Sequence, residues 1–187
     1  SRLQNSPVMN SRLKFFTVFN DWGDSHTLIK ISNDFRYLKQ FTGSFERTSE
    51  IMIIGSPLVN FGLISKEVFL NVLTSLEKIF ADHELVYIRH RTEPKEFPGN
   101  FKCISINKPV GLYFLDNKIL PPIVATFFST AGINLHRIFG SQLQVINLRI
   151  TDDLITNPQY ASLLKILSGY YRSQENEYFR TMDISIS

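Results

Sequence analysis

The sequence predicts an α/β fold, a mostly parallel sheet with helices on both faces. Three observations lead there. Short apolar runs of strand length alternate with longer segments of helical period along the chain. One of those segments, residues 65–80, is a clear amphipathic helix set between two strand-like runs. The composition is that of one globular domain: 187 residues, 43% hydrophobic and 20% charged, without internal repeats or low-complexity tracts. Strands that alternate with helices in this way pair in parallel, because each crossover helix returns the chain to the same edge.

The elements follow in order. Residues 13–19, LKFFTVF, read as a first strand, and 33–41 as a short helix before Gly43. The run EIMII, 50–54, is a strand ended by Gly55-Ser56-Pro57. Ser65 is placed to cap the helix over 65–80. Val68, Phe69, Val72, Leu73, Leu76, Ile79 and Phe80 form its apolar stripe, with Lys66, Asn71, Ser75 and Lys78 opposite. LVYI (85–88) and FKCISI (101–106) are strands separated by a Pro/Gly-interrupted loop, and a short segment follows Pro109. IVATFF (123–128) is a strand that runs into a helix from Ser129 to about Ile138. QVINLRI (144–150) is the last strand predicted. Asn157-Pro158 then opens a final amphipathic helix carrying Leu163, Leu164, Leu167, Tyr170 and Tyr171. The expectation is one sheet of strands near 14–19, 50–54, 85–89, 101–105, 123–128 and 143–149.

Composition narrows the function. Twenty Lys and Arg against 17 Asp and Glu leave a net charge of +3. That excess is too small for a protein that coats nucleic acid, but it suits a small polyanionic ligand or a weak attraction to a membrane surface. The single cysteine, Cys103, excludes an internal disulfide framework and a cysteine-based zinc site. No apolar run is long enough for a membrane-spanning helix, and the first residues lack the apolar core of a signal peptide. The four histidines, His26, His83, His90 and His136, are scattered without ligand spacing, so neither a metal nor another cofactor is expected.

Ligands of parallel sheets gather at the carboxyl ends of the strands. Four segments stand there: Asn20–Asp24, Gly55–Pro57, Arg89–Glu93 and Ser129–Thr130. His90 sits between Arg89 and Arg91, where it can donate to an anion or act as a general acid, or where the loop is simply solvated mixed charge. Ser129 and Thr130 open a helix, where amides and the helix dipole favour a phosphate, or where Ser129 is an ordinary N-cap. Asp21, Asp24 and His26 follow the first strand; a carboxylate there is a general base if it faces a hydroxyl, or turn chemistry if it does not. Gly55 permits close backbone approach of a ligand, or merely ends a strand. There is no GxGxxG, no GxxxxGK[ST] and no GxSxG.

Taken in order, IIGSPLVNFGLIS (53–65), YIRHRTE (87–93), PVGLY (109–113) and FFSTAGINL (127–135) resemble the bacterial sialyltransferases. The nearest groups are the lipooligosaccharide sialyltransferases of glycosyltransferase family 52 and the capsular polysialyltransferases. Their pattern is a strand ending Gly-x-Pro, a long helix, Tyr-x-x-His-Pro-Arg-Glu, Pro-Ile/Val-Glu, and a strand ending Phe-Tyr/Cys-Ser-Ser/Thr-Ala. The likeness covers roughly residues 50–140. It departs at Arg91, where the family has proline, and at Gly111 or Leu112, where the family has an acidic residue. Trp22 also splits the upstream acidic motif, here Asn20-Asp21-Trp22-Gly23.

The resemblance implies a Rossmann-like domain that is one half of a GT-B glycosyltransferase. It implies a donor site for CMP-sialic acid formed by Gly55, His90, Arg91, Ser129 and Thr130, with His90 catalytic as well. It implies Asp21 as the base that deprotonates a glycan acceptor hydroxyl, which attacks the anomeric carbon as CMP leaves. One such domain fills 1–187, so the N-terminal acceptor domain is expected to be absent from this chain. The resemblance places the protein in the bacterial cytoplasm, peripheral to the inner membrane, in lipooligosaccharide or capsule biosynthesis, and admits a homo-oligomer. The alternative from a different class is a non-catalytic Rossmann-like module that binds a nucleotide or a partner.

Overall fold

The computed structural model describes residues 14–17, 29–93 and 101–186. In chain order its elements are β1 (Lys14–Thr17), β2 (Ile29–Ser32), α1 (Arg36–Lys39), β3 (Glu46–Arg47), β4 (Ile51–Ile54), α2 (Lys66–Ile79), β5 (Leu85–Ile88), β6 (Lys102–Ile104), α3 (Val110–Asn117), β7 (Ile119–Leu120), β8 (Ile123–Phe127), α4 (Thr130–Phe139), β9 (Gln144–Ile150), α5 (Pro158–Ser173) and β10 (Phe179–Ile184). Six strands form the main sheet in the order β6-β5-β4-β8-β9-β10, and every adjacent pair is parallel. Counted by appearance within the sheet, that order is 3-2-1-4-5-6, the Rossmann arrangement. The predicted α/β class with a parallel sheet and helices on both faces is the fold of the protein.

The strands read as apolar runs because both faces are covered. Ile51, Ile53, Leu85, Tyr87, Ala125, Phe127, Ile146 and Leu148 pack in one cluster with Phe69, Val72, Leu73 and Leu76 of α2. Met52, Val86, Ile88, Val124, Val145 and Phe179 pack in another with Phe114 of α3, Ile133, Leu135 and Ile138 of α4, and Tyr171 of α5. Capping fixes where the helices start. Ser65 Oγ accepts from Val68 N–H at 3.1 Å, and Asn157 Oδ1 accepts from Gln159 N–H at 3.1 Å with Pro158 at the first position of α5.

Several elements differ from expectation or add to it. The strand predicted over 14–19 is not part of the main sheet: β1 pairs in parallel with β2 as a separate two-stranded sheet. Its place is taken by β10, an edge strand in which only Phe179 and Ile184 are buried and Arg180 and Asp183 are exposed. With only two of its six side chains buried, β10 carries no apolar run to announce it. The segment after Pro109 is helical, and the helix predicted over 33–41 shrinks to one turn that begins after Phe35, at φ 53.

One register row crosses all six strands: Ile104, Ile88, Ile54, Thr126, Asn147 and Thr181. It is apolar up to β4 and polar from β8 onward. Thr126 and Asn147 are fully buried, and their side-chain polar atoms meet no partner among the described residues.

Gly132 lets α4 lie directly on this row. A Cβ there would sit 2.7 Å from Thr126 Cγ2 and 3.4 Å from Val145 Cγ1. Gly132→Ala is therefore expected to be net destabilising by up to about 2 kcal/mol, overpacking of about 1–3 kcal/mol outweighing a helix-propensity gain of about 1 kcal/mol. Denaturant unfolding checks this. In a Thr126→Ser background, which lacks the obstructing methyl, the same substitution is expected to be neutral or stabilising.

Candidate functional site

The strand order reverses between β4 and β8, and a crevice opens where their connections part. A cavity of about 610 Å³ occupies that point, within the range of roughly 300–1,000 Å³ usual for small-molecule sites. Three chain segments far apart in sequence meet there. Gly55, Ser56 and Pro57 come from the end of β4, Arg89, His90, Arg91 and Thr92 from the end of β5, and Phe128, Ser129, Thr130 and Ala131 from the turn between β8 and α4. Gly55, His90, Arg91, Ser129 and Thr130 thus border one cleft. Asp21, Asp24 and His26 lie outside the described residues.

The lining of the cleft combines cationic and apolar groups. Arg89 and Arg91 line it, and no Asp or Glu does among the described residues. Pro57, Leu58, Phe61 and Leu63 line it from the α2 side. Among the described residues, no three His, Cys, Asp or Glu side chains come together to hold a metal.

His90 is held by its own loop. Its Nδ1 lies 2.8 Å from Thr92 Oγ1 and accepts from Thr92 N–H at 3.3 Å. A ring nitrogen that accepts a backbone N–H carries no proton, so the neutral imidazole has its proton on Nε2, which is then the ring's donor. Burial, and after it the charge of Arg91, pulls the His90 pKa below its ordinary value.

Glu93 folds back to fix that loop. Its Oε2 accepts from His90 N–H at 2.7 Å and its Oε1 from the Tyr87 hydroxyl at 2.9 Å, while Glu93 N–H donates to His90 O at 2.9 Å. Burial raises the Glu93 pKa despite these bonds. Gly55 leaves the room for this arrangement: a Cβ there would lie 2.5 Å from Glu93 Oε2 and 2.6 Å from Tyr87 Oη. The space beside its Cα is filled by protein, so the close approach that the glycine permits is that of Glu93.

The β8–α4 turn is strained. Phe128, at φ 41, is in the left-handed region, which a bulky side chain rarely adopts; such a residue costs on the order of 1–3 kcal/mol. Ser56 Oγ donates to Phe127 O at 2.8 Å across the crevice and holds the strand end against that strain. Ser129 then caps α4, its Oγ accepting from Ala131 N–H at 3.2 Å. The ordinary N-cap role of Ser129 is therefore filled, and its hydroxyl proton remains to donate.

Sequence reasoning placed Ser56 and Glu93 within candidate segments but gave neither a role, and it missed Phe61 and the strain at Phe128. Glu93 had a signal, the spacing Tyr-x-x-His-x-x-Glu from Tyr87. The others had none, because each acts through a partner distant in sequence or through a backbone angle. Comparison with protein-family models finds no match for this chain, and comparison with curated proteins finds no significant relative.

Gly55→Ala is expected to lower stability by about 1–3 kcal/mol through overpacking against Glu93 and Tyr87. Urea unfolding measures it. The cost should shrink when Glu93→Ala is already present; an equal cost in both backgrounds would mean that Glu93 does not occupy the space beside Gly55.

Proposed function

We propose that the cleft is the donor site for a nucleotide sugar of the CMP-sialic acid type, and that the chain is the donor-binding domain of a sialyltransferase-like glycosyltransferase. The observation that supports it best is convergence. His90 and Ser129 each have a local explanation, and those explanations put no constraint on their mutual position. Yet both line one cavity, with Gly55 beside them, at the switch point of a 3-2-1-4-5-6 sheet. The arginines suit a phosphate, as do the helix N-terminus and the Ser129 hydroxyl. In this reading His90 Nε2–H and the Ser129 hydroxyl donate to the CMP phosphate and stabilise it as it leaves. Thr130 and Arg91 complete the phosphate shell. The base role of Asp21, the glycan acceptor, and a cytoplasmic, membrane-peripheral setting rest on the resemblance alone. Among the described residues, no helix is long and apolar enough to cross a membrane.

A second reading, a nucleotide-binding module without transferase activity, has one observation in its favour. Gly111 and Leu112 stand where the family carries an acidic residue. Gly111 is packed under α4, its Cβ position 3.1 Å from Ile138 Cδ1, and Leu112 packs against the same apolar cluster. Neither offers a carboxylate to the cleft.

Titration calorimetry with CMP, UMP and AMP tests the donor assignment, with CMP expected to bind tightest. His90→Ala and Ser129→Ala are each expected to weaken CMP binding by about 1–3 kcal/mol, the worth of a hydrogen bond to a charged group; the melting temperature of His90→Ala should stay near wild type, while Ser129→Ala also removes the α4 cap and should lower stability by about 0.5–2 kcal/mol. Unchanged affinity in both variants refutes the site.

The pH dependence carries a sign. A phosphate beside His90 raises a pKa that burial and Arg91 hold low in the free protein. Binding then takes up a proton, so CMP affinity should rise as the pH falls from neutrality, and level off below the free-protein pKa. Calorimetry in two buffers of different ionisation enthalpy measures the uptake. His90→Ala should reduce it to the contribution of the CMP phosphate itself.

A further inference from the structure

We infer that Phe61 is the stacking platform for the ring system of the bound ligand, the base of a nucleotide if the cleft is the donor site proposed above, on which this inference rests. Six large apolar side chains are exposed among the described residues, and Phe61, at 59% exposure, is the one of them that lines the cleft. A single exposed phenylalanine is unremarkable on a surface. The backbone that carries this one is held in place by its surroundings. Phe61 N–H donates to Pro57 O at 3.0 Å, Gly62 N–H to Val59 O at 2.9 Å, and Leu63 N–H to Leu58 O at 2.9 Å. Gly62, at φ 65, closes the turn.

Two outside anchors tie the turn down. Thr156, just before α5, donates its N–H to Leu63 O at 2.9 Å. Asn60 Nδ2 donates to Thr92 O at 2.6 Å, joining the turn to the loop that carries His90. The ring is therefore presented on a fixed backbone, on the same cleft as the histidine and the arginines. With the backbone fixed, only the two side-chain torsions of Phe61 remain to be ordered on binding.

The lining specifies the ligand class: an anionic group for Arg91, His90 and Ser129, joined to a flat ring for Phe61. Every base has a π-face, so stacking favours a ring over none without choosing among bases. Selectivity for one base then comes from groups other than Phe61.

The experiment compares CMP, UMP, AMP and ribose 5-phosphate by titration calorimetry on wild type, Phe61→Ala and Phe61→Tyr. Wild type should bind the nucleotides more tightly than ribose 5-phosphate. Phe61→Ala should weaken all three nucleotides by about 5- to 150-fold, leave ribose 5-phosphate unchanged, and keep the wild-type melting temperature, since the ring is mostly exposed. Phe61→Tyr should restore nucleotide binding. If wild type binds CMP and Phe61→Ala binds it equally, the platform is overturned and the donor-site reading stands. If AMP binds as well as CMP and both lose affinity in Phe61→Ala, the platform stands and the CMP-type donor reading falls. If ribose 5-phosphate binds wild type as tightly as any nucleotide, or no nucleotide binds at all, the platform is overturned; the second result overturns the donor reading with it.

Discussion

Strands β4 and β8 lie side by side and parallel at the centre of the sheet, and the chain leaves them in opposite directions. After β4 it goes to α2, in one core cluster, and after β8 to α4, in the other. Two neighbouring strands whose continuations part must leave a gap at their carboxyl ends, and the cleft is that gap. The Ser56–Phe127 hydrogen bond spans it, and the turns on either side supply the residues that face it. His90 arrives from β5, the next strand along, and reaches the gap because Glu93 folds its loop back over Gly55. Remove the β4–β8 pairing and neither the crevice nor the convergence of its three segments exists.

Several local rules are broken around this centre. Phe128 takes a left-handed backbone angle at the turn into α4. Thr126 and Asn147 are buried with their polar atoms unmatched by described protein groups. Glu93 is a partly buried carboxyl whose pKa burial raises. Each costs stability, and they belong to the carboxyl half of the sheet or the loops beside it. The opposite character holds on the α2 side of β4 and β5, where Ile51, Ile53 and Leu85 pack against α2 without such exceptions.

The architecture was legible because its signals are local. The 3.6-residue stripe of α2, the apolar runs of β4, β5, β8 and β9, and the caps Ser65, Ser129 and Asn157 can each be read within a few residues. The position of the cleft was legible too, since a parallel sheet sends its ligands to one edge, and Gly55, His90 and Ser129 follow strands. The partner of β1 was not legible, because a short strand does not name the edge it joins. β10 was hidden by its half-exposed pattern. The work of Glu93, Ser56 and Phe61 depends on how loops fold onto one another, and no periodicity records that. With no similar family or curated protein to compare, those roles come from the geometry alone.

The pairing of β4 with β8 also sets a condition on how the chain is made. Ile51 of β4 pairs with Ile123 of β8, so the central strand leaves the ribosome about seventy residues before its neighbour on that side. At a synthesis rate of roughly 5–20 residues per second, the wait is about 4–14 s. During that interval β4 has only β5 to pair with, and the other edge of an Ile-Met-Ile-Ile strand stands open. The nascent chain therefore passes through a stage in which its most apolar strand is an unprotected edge, the form of strand that invites pairing with the wrong chain. That exposed interval is the consequence of placing the first strand of the sheet at its centre.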